Sequence, residues 1–239
     1  VKPKKPEFGQ GLLEYALLLL LVGVSILLVL RLMGLSVRDV YCDIVALITN
    51  QDSCSNQVLC SDSFDDPAFK GWNWVYGAPS MNRVNNNPGQ LCLSNSNQLY
   101  NQCSQNKEQK DYSILMKNSI LYNGNGYGIF FRTTYLKGKA NGYIFQYDPG
   151  LRAFVIRRWV DGKEINPPFA KTPIPPNYPI YNTPHDIKID VIGNNYVIYI
   201  DGQKILDVTD DVYQKGGIGL RTWDSTNFCT DEITLFSAP

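Results

Sequence analysis

HDIKIDVIGNNYVIYIDGQKILDV, residues 185–208, reads as three strands in succession. From His185 to Val191 apolar and polar residues alternate, which puts Ile187, Ile189 and Val191 on one face. Gly193-Asn194-Asn195 turns the chain, Tyr196 to Ile200 returns, and Asp201-Gly202 turns it again into Lys204 to Val208. The same β-rich texture extends outward through Tyr127–Arg132, Tyr143–Tyr147, Phe154–Trp159, Gly216–Arg221 and Asp231–Phe236. No long amphipathic helix interrupts it after Ser61. Many short strands at regular spacing predict an all-β two-sheet sandwich over residues 61–239. Lys171 to Pro184 carries five prolines and reads as a stiff loop that covers a sheet edge or touches a neighbouring subunit.

The formal net charge is zero, so the field that phosphate backbones need is missing and nucleic acid is excluded as a partner. The six cysteines, Cys42, Cys54, Cys60, Cys92, Cys103 and Cys229, suit disulfides in an oxidising compartment. Fifteen pairings are open to six cysteines. Cys92 with Cys103 reads as a local clip and Cys42 with Cys54 as a fastening after the apolar segment, which leaves Cys60 with Cys229. There is no CxxC pair and His185 is the one histidine, so zinc is not expected.

Leu12 to Met33 is a run of 22 mostly apolar residues, which as a helix spans roughly 33 Å, about a bilayer core. Lys2, Lys4 and Lys5 precede it, which orients the N-terminus to the cytoplasm. Periodic apolar residues carry the helical pattern on to about Thr49. The expected layout is a basic leader-like segment over 1–9, a hydrophobic helix over 10–49, a cysteine-containing linker over 50–60 and a sandwich over 61–239. The class is thus α+β, a long helix followed by an all-β head. Glu14 is the anomaly, because a carboxylate in hydrocarbon requires a counter-charge.

Gly9-Gln10-Gly11-Leu12-Leu13-Glu14-Tyr15-Ala16-Leu17 resembles the processing region of type IV pilins, in particular the small pilins of tight-adherence pili. The resemblance covers about residues 1–35. It implies cleavage by prepilin peptidase between Gly9 and Gln10. It also implies assembly through Glu14 and Tyr15, with Glu14 paired to the amino terminus of a neighbouring subunit. Gly23 and Ser25 are small enough for close helix packing.

Asp62-Ser63-Phe64-Asp65-Asp66 with Trp72, the hairpin Gly193–Gly202, Gly217-Ile218-Gly219-Leu220-Arg221 and the strand Asp231–Phe236 resemble the concanavalin-like jelly rolls. That superfamily implies a sandwich whose functions range over lectins, hydrolases and spacers. Its glucanases place paired carboxylates on one strand as Glu-x-Asp-x-Glu. That pattern is absent here, since after Glu14 the glutamates are Glu108, Glu164 and Glu232. No enzyme is expected. Trp72, Trp74, Trp159 and Trp223 are the candidates for carbohydrate binding. Asp65, Asp66, Asp224 and Asp231 are the candidates for a calcium site, the one cofactor considered.

Together these readings predict a pilin. Its helices would pack in the core of a homopolymeric filament, with the sandwich displayed for adhesion, surface contact or motility. Its partners would be identical subunits, prepilin peptidase and the pilus assembly machinery. It would reside in the inner membrane before assembly and in an extracellular filament afterwards. The alternative is a membrane-anchored extracellular lectin-like protein that binds carbohydrate.

Overall fold

The computed structural model describes residues 14, 15, 17–25, 57–66, 68–77, 89–107 and 109–238. The chain divides into two units, Val1–Ser55 and Asn56–Pro239. In the first unit, the described residues 14, 15 and 17–25 are helical. Among the described residues no helix is long and apolar enough to cross a membrane. The all-β sandwich is the part of the expected α+β layout that the described residues carry; of the helix expected over 10–49, residues 14, 15 and 17–25 are described, and the rest of that expectation lies outside the described residues. Glu14 and Tyr15 are exposed there. Ser25 Oγ donates to the Leu21 carbonyl at 2.8 Å, and a Cβ on Gly23 would meet nothing within 4 Å. Gly9, Gln10, Cys42 and Cys54 lie outside the described residues.

The second unit is an all-β two-sheet jelly-roll sandwich. The first sheet runs in the order β1 (Val58–Asp62), β16 (Glu232–Ser237), β5 (Tyr112–Asn123), β11 (Pro184–Ile192), β12 (Asn195–Ile200) and β13 (Gln203–Thr209). β15 (Asn227–Thr230) pairs with β5 and with β3 (Leu91–Ser94). The second sheet runs β10 (Ala170–Pro173), β8 (Ala153–Val160), β7 (Lys139–Asp148), β6 (Tyr127–Leu136), β14 (Gly217–Thr222), β4 (Asn97–Asn101) and β2 (Trp72–Tyr76). The two-residue β9 (Lys163–Glu164) hangs off β8.

Alternation dictates which side chains meet between the sheets. Ile187, Ile189 and Val191 of β11 face inward beside Tyr196, Ile198 and Ile200 of β12. Opposite them stand Tyr127, Ile129 and Phe131 of β6, Tyr143, Phe145 and Tyr147 of β7, and Phe154 and Ile156 of β8. Each such side chain contributes about 1.5–3 kcal/mol when fully buried. The turns that set the register follow the sequence signals. Asp201 and Gly202 both take positive φ, 51° and 75°, as a two-residue hairpin turn of matching twist requires.

Two disulfides are formed among the described residues, Cys60–Cys103 and Cys92–Cys229. The expected pairs Cys92–Cys103 and Cys60–Cys229 are corrected. Cys92 on β3 stands directly opposite Cys229 on β15, whereas Cys103 sits on the short helix Gln102–Lys107, where it reaches Cys60 on β1. The proline-rich stretch begins at a sheet edge, where Lys171–Pro173 of β10 cover β8. It crosses from β10 in one sheet to β11 in the other, and its Ile174, Tyr178 and Ile180 pack on the core.

Candidate functional site

The second sheet also buries part of its outer face. Phe130, Ala140, Ile144 and Trp159 form a separate cluster there, with Tyr135 packed against it. Pairing builds the polar part of this face in rows. Gln98 on β4 opposes Arg221 on β14, which opposes Gly128 on β6. Gly128 opposes Gln146 on β7, Gln146 opposes Val155 on β8, and Val155 opposes Lys171 on β10. At Gly128 a Cβ would meet Ile144 Cδ1 at 2.6 Å, so the row has a gap between Arg221 and Gln146 that only glycine allows.

Glu164, from the end of β9, gathers the charged groups of this face. Its carboxylate accepts from Gln146 Nε2 at 2.8 Å and from Arg221 Nη1 at 3.3 Å, and it forms an ion pair with Arg157 Nε at 3.2 Å. Arg157 Nε also donates to Gln146 Oε1 at 2.8 Å, and its Nη1 donates to Asn166 Oδ1. The Arg221 guanidinium lies 5.0 Å from the ring centroids of both Trp159 and Trp223, and its Nε donates to the Tyr76 hydroxyl at 3.3 Å. Such cation–π contacts fix a guanidinium in place while its remaining N–H groups can still donate. Trp159 packs edge-on against Phe130 at 5.2 Å. Its buried Nε1 has no hydrogen-bond partner among the described residues. Asp148 stands near this network. Burial raises its pKa above the ordinary carboxyl value, against the bond from the Leu151 N–H and the attraction of Arg157.

Of the four tryptophans singled out in the sequence, Trp159 and Trp223 meet around Arg221. Trp72 and Trp74 do not. Trp72 turns into the core, where its Nε1 donates to Asp62 Oδ2 at 2.8 Å, and Trp74 packs against the same core. Arg157, Arg221, Glu164, Gln146 and Asn166 were not anticipated. A signal for one of them, Arg157, was present in β8, where Val155, Arg157 and Trp159 recur every second residue on the face opposite Phe154 and Ile156.

The acidic candidates also separate. Asp65 and Asp231 line one depression of about 300 Å³ together with Ser63, Gly89, Gln90, Asn118 and the ion-paired Lys117 and Glu232. Asp231 accepts there from Gln90 at 2.6 Å and from Asn118 at 2.7 Å. Asp66 instead accepts from the Ala68 N–H and pairs with Lys70, while Asp224 accepts from Asn125. No group of three or more His, Cys, Asp or Glu side chains able to hold a metal occurs among the described residues.

No family model matches the chain. A levanase of Bacillus subtilis (strain 168) is 30% identical over 105 residues, which is 44% of this chain and 14% of the levanase. The chain thus spans a small part of the curated relative it matches. Among solved structures, the carbohydrate-binding module CBM66 from Bacillus subtilis superposes with a TM-score of 0.54 at 21% identity, covering 70% of this chain and 96% of the module. The exoplasmic/lumenal domain of VIP36, bound to Ca2+ and Man3GlcNAc, superposes with a TM-score of 0.53 at 12% identity, covering 71% and 84%. These likenesses fix the fold as a jelly-roll sandwich. The sandwich shares this fold with β-glucanases as well. It resembles a binding module and a saccharide-bound lumenal domain, and its sequence lacks the glucanase carboxylate strand.

The pilin reading is corrected on the same findings. The similarities run to a levanase and to carbohydrate-binding domains. The described residues hold no helix able to cross a membrane. The filament of identical subunits, the prepilin peptidase and assembly machinery, and the passage from inner membrane to extracellular filament fall with it. An apolar run beside a glycine and a glutamate is compatible with many helices, and composition of that kind does not by itself identify a family.

Proposed function

We propose that the sandwich, from about residue 61 onward, is a non-catalytic carbohydrate-binding module that takes its ligand on the outer face of the second sheet. The observation that carries this reading is the Arg221 guanidinium held between Trp159 and Trp223 and joined through Glu164 to Arg157 and Gln146. Saccharides present apolar C–H faces ringed by hydroxyls, and a site for them combines flat aromatic surface with fixed donors and acceptors. The likeness to a levanase and to a carbohydrate-binding module supports the same class of ligand.

The reading extends to calcium in the depression that Asp65 and Asp231 share. Its support is the chemistry of the donors. The Asp65 carboxylate and the Ser63 carbonyl lie close to Gly89, where a Cβ would come within 2.9 Å and 3.1 Å of them, and Asp231 adds a second carboxylate. Hard cations take oxygen ligands of this kind. The VIP36 domain is described as Ca2+-bound.

Affinity electrophoresis and titration calorimetry of the full chain against fructans, β-glucans, mannans and acidic polysaccharides test the proposal. At least one polymer should retard the protein. Arg221→Ala and Trp223→Ala should each weaken that binding about tenfold or more, with thermal unfolding reporting that the fold persists. Absence of binding to every polymer, or binding indifferent to both substitutions, overturns it.

A further inference from the structure

Resting on the carbohydrate-binding reading, we infer that the ligand is an acidic saccharide whose carboxylate or sulfate group is taken at the β8–β10 end of the face. A depression of about 580 Å³ there is lined by Leu151, Arg157, Asn166, Pro167, Pro168 and Lys171. Two of these side chains are cations and none is an acid. Lys171 stands on β10 opposite Val155, on the same face as Arg157, and its ammonium has no hydrogen bond or ion pair among the described residues. The prolines and Leu151 supply an apolar floor for the C–H side of a sugar ring.

The balance of donors and acceptors decides the charge of the ligand. Gln146 Oε1 and Asn166 Oδ1 already accept from Arg157. Glu164 Oε2 already accepts from Gln146 and Arg221, its Oε1 is ion-paired with Arg157, and Glu164 does not line the depression. Asp148 does not line the depression, and its Oδ1 accepts from the Leu151 N–H at 2.9 Å. What remains toward the ligand is a surplus of donors, namely Arg157 Nη2, which has no partner among the described residues, and Lys171 Nζ. A sugar hydroxyl both donates and accepts and finds few acceptors here, whereas a carboxylate or sulfate only accepts.

The test uses the full chain and matched polymers in calorimetry and affinity electrophoresis. One pair is polygalacturonate and its carboxyl-reduced, neutral counterpart. The other is a sulfated galactan and the same galactan desulfated. One acidic member should bind about tenfold tighter than its neutral counterpart, and the pair that shows this identifies carboxylate or sulfate. Lys171→Gln should close most of that gap. Lys204→Gln, on β13 of the other sheet, should leave it in place. Equal binding of acidic and neutral members overturns the inference, as does a gap that survives Lys171→Gln or shrinks equally with Lys204→Gln. Each of those outcomes leaves carbohydrate binding standing. Failure of every polymer to bind overturns the carbohydrate reading itself.

Discussion

Arg132 and Arg221 both belong to strands of the second sheet, and the backbone sends them to different places. The β6–β7 register shifts between Phe131 and Thr134, and Arg132 takes a φ of 45°. That bulge turns its side chain inward, where it donates to the Lys110, Tyr213 and Gly193 carbonyls and to the Tyr196 hydroxyl. Arg221 follows the regular pleat and points out to Glu164 and the tryptophans. Strand residues with regular alternation were legible in the sequence, but a bulge has no signature there, and neither does a Glu164–Arg221 pair separated by 57 residues. Asp210 carries a prediction at this scale. Burial pushes its pKa up, yet the bonds from Arg158, Tyr143 and the Val212 N–H outweigh that and hold the carboxyl below its ordinary value of 3.8. A depressed carboxylate pKa stabilises the fold above the ordinary value and loses that contribution as pH falls through the folded value. Asp210→Asn should therefore cost about 1–2 kcal/mol at neutral pH, a figure reduced because Arg158 is partly exposed. The cost should shrink as pH falls below 3.8 and through the lower folded value, read by urea unfolding at neutral and at acid pH.

Among the elements, the three strands over residues 185–208 were legible from their alternation and turns, and so were β6, β7, β8, β14 and β16. The disulfides were not, because closeness along the chain favoured Cys92 with Cys103. The sandwich instead places Cys92 beside Cys229, 137 residues away. The proline-rich stretch was recognised as stiff, but its destination depended on His185. The ring of His185 stacks on Tyr178 at 4.9 Å, and its Nε2 donates to the Pro179 carbonyl at 2.9 Å. Closing a long loop gives the Cys92–Cys229 bond its leverage on stability. Replacing both cysteines by serine should lower unfolding stability by about 2–5 kcal/mol, checked by denaturant titration of both forms under non-reducing conditions.

For the whole molecule, all-β patterning was enough to predict two packed sheets, since strands with one apolar face must bury it against another layer. Where on the outer surface the proposed site lies could not be read the same way. It depends on where β9 places Glu164 and on the glycine gap at Gly128, both products of the assembled sheet. The N-terminal run shows the converse limit, because a local apolar pattern suggested an assembly that the likenesses of the chain do not support. Calcium belongs to this scale as well. Asp65 follows β1 and Asp231 precedes β16, so a cation between them would tie together two neighbouring strands of the first sheet. Adding millimolar calcium to EGTA-treated protein should raise the melting temperature by several degrees, as ligand linkage requires, and Asp231→Asn should abolish the rise.

One carboxylate, that of Glu164, sits on a two-residue strand and holds guanidinium groups from both arms of the sheet. Small drifts in the hairpin that carries it would reposition both cations at once while leaving the inner layers untouched. On the proposed reading, selection could thus retune which glycan is recognised through a few substitutions in one short excursion of the chain, with little penalty in foldability.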